Sequence, residues 1–195
     1  MEEIQETKQE IRQRVEKTLT GLAPAERQGK YTQIEDRLFE FANFLESRIV
    51  MLYIDRPLEV PTARIIRKCF EFGKIVVLPA FDADKRDARL LKVDDPAKDL
   101  VTGAHGMLEP NPERCKQVPL ECIDIAIVPG VALDEKGGRI GHGMGGYDRL
   151  IPKLPTTTRK VALALEEQIL AQVPIEHHDR FVDIIITNDR TIYKI

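Results

Sequence analysis

Apolar residues recur along this chain in two rhythms. Over residues 3–19, Ile4, Ile11, Val15 and Leu19 stand four or seven positions apart on an otherwise polar stretch. That period predicts an amphipathic helix with a narrow buried stripe, closed by Gly21 with Pro24 just beyond. A second helix is expected from about residue 24 to 47, burying Leu38, Phe41 and Leu45. RIVMLYI at 48–54 is a short apolar run with β-branched residues, the pattern of a buried strand. Helix and strand signals then alternate. Residues 62–72 read as helix, with Thr62 as N-cap and Gly73 as stop. KIVVLPA at 74–80 reads as strand, and the polar run 82–89 as a loop into a short strand at 89–93. CIDIAIVPG at 122–130 is a further buried strand, closed by Pro129-Gly130. A helix is expected from about 145 to 151, a strand in RKVALAL at 159–165, a short helix at 166–172 and a last core strand in VDIIITN at 182–188. TIYKI at 191–195 could add an edge strand.

Apolar strands separated by helices predict an α/β fold with a largely parallel sheet. With 195 residues and no repeat, low-complexity segment or linker, a single domain over 1–195 is expected. A net charge of −3 and no basic stripe give no footprint for nucleic acid, so an anionic ligand must meet local positive charge. The charged start MEEIQETKQEIRQRVEK lacks the apolar core of a signal peptide. No run of 18 apolar residues predicts a membrane span. Cys69, Cys115 and Cys122 are odd in number and form no Cys-x-x-Cys pair, so they read as reduced structural thiols of a cytoplasmic protein.

The chemistry concentrates in GRIGHGMGGYDR at 138–149, which holds five of the chain's 12 glycines. It lies between a predicted strand and a predicted helix. Glycine permits positive φ and close backbone approach. N–H groups of such a loop can converge on an anion, with the next helix start adding unpaired donors. Gly141, Gly143 and Gly145 alternate, which matches neither the Walker loop nor the dinucleotide fingerprint. Arg139 and Arg149 offer planar forks for phosphate, and Asp148 could hold a magnesium ion beside it. An ordinary glycine-rich surface turn is the alternative. His105, His142, His177 and His178 lack metal-ligand spacing, and Asp82, Asp84, Asp87, Asp94 and Asp95 read as solvated loop charges.

RIGHGMGGYD resembles the signature of the 5-formyltetrahydrofolate cyclo-ligase family, Arg-[Leu/Ile]-Gly-x-Gly-x-Gly-[Tyr/Phe]-Tyr-Asp. The match falls on Arg139, Ile140, Gly141, Gly143, Gly145, Tyr147 and Asp148. VPGVALDEKGGR at 128–139, GMLEP at 106–110, ALALEEQ at 162–168 and VPIEHHD at 173–179 are similar to other family stretches. One position departs: Gly146 stands where the family carries an aromatic residue that shapes the pocket near the substrate.

The resemblance implies a three-layer α/β/α fold of the NagB/RpiA/CoA-transferase-like type. It implies ATP- and Mg2+-dependent closure of 5-formyltetrahydrofolate, with or without a polyglutamate tail, to 5,10-methenyltetrahydrofolate through a phosphorylated formyl group. Lys8 and Arg12, at i and i+4 on one helical face, fit the family's Lys-x-x-x-Arg for ATP; a solvated charged face is their other reading. Implied ATP contacts are Lys8, Arg12, Arg139, Gly141, His142, Gly143, Met144, Gly145, Gly146 and Tyr147. Arg139, Gly143, Gly145 and Tyr147 carry the catalytic role, and Asp148 and Asp179 the metal. Glu59, three residues before Thr62, falls on the family's substrate glutamate. Tyr53 and Tyr147 offer flat faces for the folate rings, though Tyr53, as a strand residue, reads more readily as core. No nucleic-acid or membrane partner is expected, and a monomer or weak homo-oligomer is. Gly146 leaves two alternatives open: a non-catalytic paralogue that binds a nucleotide or partner, and a ligase for another folate-like compound.

Overall fold

Thr7 starts the first helix reciprocally: its hydroxyl accepts from the Glu10 N–H at 3.2 Å, and the Glu10 carboxylate accepts from the Thr7 N–H at 2.7 Å. The computed structural model describes residues 7–82, 87–103 and 106–194. The predicted helix start at residue 3, with Ile4, lies outside the described residues, as do Asp84 and His105. Helix α1 (Lys8–Gly21) buries Ile11, Val15 and Leu19, the predicted stripe.

The expected second helix is two helices, α2 (Pro24–Glu40) and α3 (Ala42–Glu46), parted by extended backbone at the buried Phe41. The break turns Phe44 into the core and leaves Leu45 49% exposed, not buried as expected. Strand β1 (Ile49–Met51) follows, then α4 (Ala63–Glu71). Thr62 is the N-cap residue of α4 as predicted, but its side chain makes no capping bond; its hydroxyl donates to Asp55 Oδ1 at 2.7 Å. Gly73 takes the left-handed φ of +67° that ends the helix.

Strands β2 (Ile75–Asp82) and β3 (Asp87–Val93) pair antiparallel from Val76–Val93 out to Asp82–Asp87. The ladder thus continues through positions read as loop, because backbone pairing tolerates charge on an open hairpin arm. Asp87 is pinned there by Lys153 at 2.6 Å. Further on come α5 (Pro96–Asp99), β4 (Leu100–Thr102), β5 (Leu108–Pro110), β6 (Ile125–Val128), β7 (Ala132–Asp134) and β8 (Arg139–Ile140). After them lie α6 (Gly146–Leu150), β9 (Arg159–Leu163), β10 (Ile169–Leu170), β11 (Ile184–Ile186) and the edge strand β12 (Thr191–Tyr193). The helix expected at 166–172 is one 3-10 turn, Glu166–Gln168, running into β10. Gln168 fixes that turn by donating to Gly130 O and Val131 O while accepting from Leu165 N–H.

The main sheet has seven strands in the order β12-β11-β9-β6-β1-β2-β3. The five central strands are parallel and the two edges antiparallel. Alternate residues separate two cores. Val50, Val76, Ile125 and Val161 pack toward α1, α2 and α4. Met51, Val77, Ala126 and Ala162 pack toward Leu150, Ile151 and Leu154. The result is the expected three-layer α/β/α arrangement, with one thick helical layer and one thin one. The chain runs from β1 to β2 in one direction and from β6 out to β9 and β11 in the other. In open α/β sheets, the crevice beyond the carboxyl ends at such a reversal is where ligands bind.

Candidate active site

A cavity of about 670 Å³ opens at that reversal, within the range of small-molecule sites. Its walls come from the ends of β2 and β6, the loop after β1, the glycine-rich loop after β8, helix α1 and the segment 176–179.

The glycine loop forms one wall because its backbone takes paths closed to other residues. Gly143 and Gly145 have φ of +96° and +66°. Gly141 is excluded from carrying a side chain for another reason: a Cβ there would stand 2.9 Å from Arg139 Nη1. Helix α6 beyond the loop has only five residues. Its aligned dipole is therefore short, and loop N–H groups and guanidinium groups must carry the attraction for an anion.

Arg139 lies beneath the loop, 3% exposed. Its Nη1 donates to Pro129 O at 3.1 Å and its Nη2 to Asp148 Oδ1 at 2.8 Å. Its Nε is buried with no hydrogen-bond partner. A buried charged donor left unmatched is costly unless a ligand satisfies it. Asp148 also accepts from the Arg180 N–H at 3.1 Å.

Helix α1 is docked on the loop. Arg12 Nε donates to Gly141 O at 2.7 Å, and Lys8 Nζ meets Asp179 Oδ2 at 2.5 Å. The i,i+4 pair therefore faces the cavity and not open solvent. Burial alone would raise the Asp179 pKa. Hydrogen bonds from Lys8 and the Glu176 N–H, with the Lys8 charge, outweigh it and hold the carboxyl below its ordinary range.

Glu59 faces the loop from the other side, 8% exposed. Its Oε2 accepts from the Arg56 N–H at 2.8 Å, and its Oε1 lies 2.7 Å from His142 Nε2. The turn presenting it holds Leu58 at φ +71°, the one non-glycine residue with positive φ among those described. Two tyrosines brace that turn: Tyr31 Oη donates to Leu58 O at 3.1 Å and Tyr53 Oη to Val60 O at 2.8 Å. This corrects the expectation for Tyr53. Its ring is 1% exposed and absent from the cavity wall, because the segment after β1 turns it into the core shared with the helical layer. It supports Glu59 from behind.

Tyr147 reaches the cavity as expected. Burial pushes its phenol pKa up, and the Glu59 charge adds to the rise, so the hydroxyl stays protonated. Lys8, Arg12, Glu59, Arg139, Tyr147, Asp148, Asp179 and the positions 141–146 therefore converge, while Tyr53 does not. Sequence reasoning missed Phe81 and Arg56, which also line the cavity. Phe81 lies one residue past the predicted end of its strand; the period-2 pattern run two residues further would have found it.

The guanidinium groups of Arg139 and Arg12, with the loop, suit a polyphosphate. For a divalent cation, Asp148 and Asp179 both face the cavity, each beside one cationic side chain. Among the described residues, no three His, Cys, Asp or Glu side chains stand together as a metal cage. Mg2+ needs no such cage: one or two carboxylates suffice when phosphate and water complete its shell. The donor set fits Mg2+ delivered with a polyphosphate.

The chain is 31% identical to a probable 5-formyltetrahydrofolate cyclo-ligase of Caenorhabditis elegans, over 98% of each chain. It is 33% identical to a probable 5-formyltetrahydrofolate cyclo-ligase of Schizosaccharomyces pombe, over 82% of this chain and 84% of that one. The solution structure of Aquifex aeolicus 5,10-methenyltetrahydrofolate synthetase superposes with a TM-score of 0.83 at 29% identity, covering 96% of this chain and 92% of the other. The family model of 5-formyltetrahydrofolate cyclo-ligases matches residues 4–188. With its glycine loop, buried arginine and facing glutamate in one crevice, the chain belongs to the 5-formyltetrahydrofolate cyclo-ligase family, a family of ligase enzymes.

Proposed function

We propose that this chain converts 5-formyltetrahydrofolate to 5,10-methenyltetrahydrofolate at the expense of ATP, with Mg2+, releasing ADP and phosphate. The observation that carries the reading is the convergence of Lys8, Arg12 and the buried Arg139 on a glycine loop whose opposite wall is Glu59.

A formamide oxygen is a poor leaving group. In the proposed sequence it attacks the γ-phosphorus of ATP, the bridging P–O bond breaks, and ADP leaves. Nitrogen 10 then attacks the activated formyl carbon. The C–O bond breaks, phosphate departs with the electron pair, and the N10 proton passes to solvent. Such chemistry asks the protein mainly for positioning and charge neutralisation.

Lys8, Arg12 and Arg139 take the ATP phosphates, and the backbone of 141–147 wraps the transferred phosphoryl group. Asp148 and Asp179 hold Mg2+ directly or through water, and the ion would neutralise phosphoryl oxygens there. Glu59 accepts hydrogen bonds from the folate near its formyl-bearing end. His142 leaves Glu59 for the phosphates when the folate takes its place. The residues come from both ends of the chain, which supports a single working domain over 1–195. The three cysteines are free, two of them buried, and among the described residues no helix is long and apolar enough to cross a membrane. The reading takes the enzyme to be cytoplasmic and a monomer or weak homo-oligomer, with or without a polyglutamate tail on its substrate.

The test is phosphate release from ATP with Mg2+ and 5-formyltetrahydrofolate, with the methenyl product followed by its absorbance. Stoichiometric formation of both supports the reading; ATP binding with no methenyl product would refute it. For the metal, Asp148→Asn is expected to move the midpoint of the Mg2+ titration roughly tenfold higher, since one charged donor is lost while its shape is kept. An unmoved midpoint would remove Asp148 from the metal site.

A further inference from the structure

Phe81 ends the apolar part of β2 and is 41% exposed, yet it stands in the cavity wall and not on the outer surface. Its ring meets the Tyr147 ring edge-on, with centroids 5.2 Å apart and planes at 68°. The same ring also lies over Gly146. A Cβ built on Gly146 would stand 2.9 Å from Phe81 Cε1, 3.0 Å from Cδ1 and 3.3 Å from Cζ.

Gly146 has no backbone reason to be glycine. It is the first residue of α6 and is not among the glycines with positive φ. Its own conformation would admit any side chain, in contrast to Gly143 and Gly145. What a side chain at 146 would have to displace is the Phe81 ring. The two positions therefore share one volume, and in this chain the ring that fills it enters from the strand side.

We propose that Phe81 is a specificity-determining residue of this site, the apolar wall against which a flat heteroaromatic ligand packs, and that Gly146 is its steric complement. The proposal rests on the cyclo-ligase reading for the identity of that ligand. Aromatic rings pair edge-to-face or offset at the spacing already seen between Phe81 and Tyr147. The exposed remainder of the Phe81 ring borders the same cavity as Glu59. A ligand whose polar edge is held by Glu59 thus has an apolar surface within reach for its flat face. The pocket then keeps an aromatic ring despite the Gly146 departure, supplied from a different element.

The experiment is a reciprocal swap with steady-state kinetics for both substrates: Phe81→Ala, Gly146→Phe and the double variant. Phe81→Ala is expected to raise the KM for 5-formyltetrahydrofolate roughly tenfold, with the KM for ATP within about twofold. Gly146→Phe alone is expected to raise the folate KM and lower the melting temperature, since two rings contest one space. The double variant is expected to recover most of the folate KM and the melting temperature. A double variant no better than the product of the single effects would overturn the shared wall. An unchanged folate KM in Phe81→Ala, with wild-type turnover normal, would overturn the ligand contact alone. A wild-type chain that neither binds nor converts 5-formyltetrahydrofolate would overturn the cyclo-ligase reading and this proposal together.

Discussion

Arg139→Lys is expected to lower turnover by roughly 10²-fold or more, while the protein stays folded. The guanidinium is planar and already uses two of its arms, on Pro129 O and on Asp148. Its third nitrogen, the inner Nε, has no partner. Lysine keeps the charge beside Asp148 but offers a single ammonium, which cannot meet a carbonyl, a carboxylate and a phosphoryl oxygen from one point. The stabilisation lost belongs to the transition state, where the transferring group carries its charge closest to the arginine. Turnover should therefore fall more than the KM for ATP rises. Arg139→Ala is a harsher variant with a mixed readout. It empties a site that is 3% exposed and leaves Asp148 only the Arg180 N–H, so a lower melting temperature should accompany the lost activity. The lysine variant separates the two effects. Circular dichroism and a melting curve check the fold; phosphate release checks the chemistry. Near wild-type turnover in Arg139→Lys would remove the arginine from the phosphoryl step.

What could be read from the sequence follows from how far apart the partners lie. The central strands were legible because each is a run of apolar residues buried on both faces, and a parallel sheet covered by helices demands that pattern. The glycine loop was legible because its needs are local: positive φ at Gly143 and Gly145, and an arginine two residues before Gly141. The break at Phe41 was not, because one buried ring decided it against a helical pattern that continued past it. The hairpin arms at 82 and 87 were hidden by charge, since polarity marks solvent contact and not the absence of backbone pairing. Pairings across the cavity were hidden altogether. His142 meets Glu59 and Phe81 meets Gly146 only after the sheet has brought β1, β2 and β8 to one end. Tyr53 carried two readings, ligand platform and core, and the core reading holds: its hydroxyl found the carbonyl of Val60 and its ring filled the core.

That bracing gives Glu59 the sharper expectation. Glu59→Gln is expected to raise the KM for 5-formyltetrahydrofolate by roughly 10- to 100-fold and to leave the KM for ATP nearly unchanged, the worth of a hydrogen bond to a charged acceptor. The substitution keeps shape and one acceptor oxygen. The Arg56 N–H can still donate to the remaining amide oxygen, and the rest of the turn is held by groups the variant does not touch: Tyr31 on Leu58 O, Tyr53 on Val60 O and Thr62 on Asp55. The strained Leu58 backbone at φ +71° therefore persists, and stability should change little. What is lost is the negative charge, which makes the side chain a strong acceptor for N–H donors on a ligand. A glutamine could also turn its amide N–H toward those donors, which adds repulsion. His142 supplies a second prediction of sign. If it must leave Glu59 for the folate to enter, His142→Ala should lower the folate KM measured at low ATP, the opposite direction from Glu59→Gln. A folate KM unchanged in Glu59→Gln, in a protein that melts like wild type, would mean that the cavity holds its second substrate elsewhere. The 2.7 Å contact between Glu59 and His142 would then be structural support for the loop and nothing more.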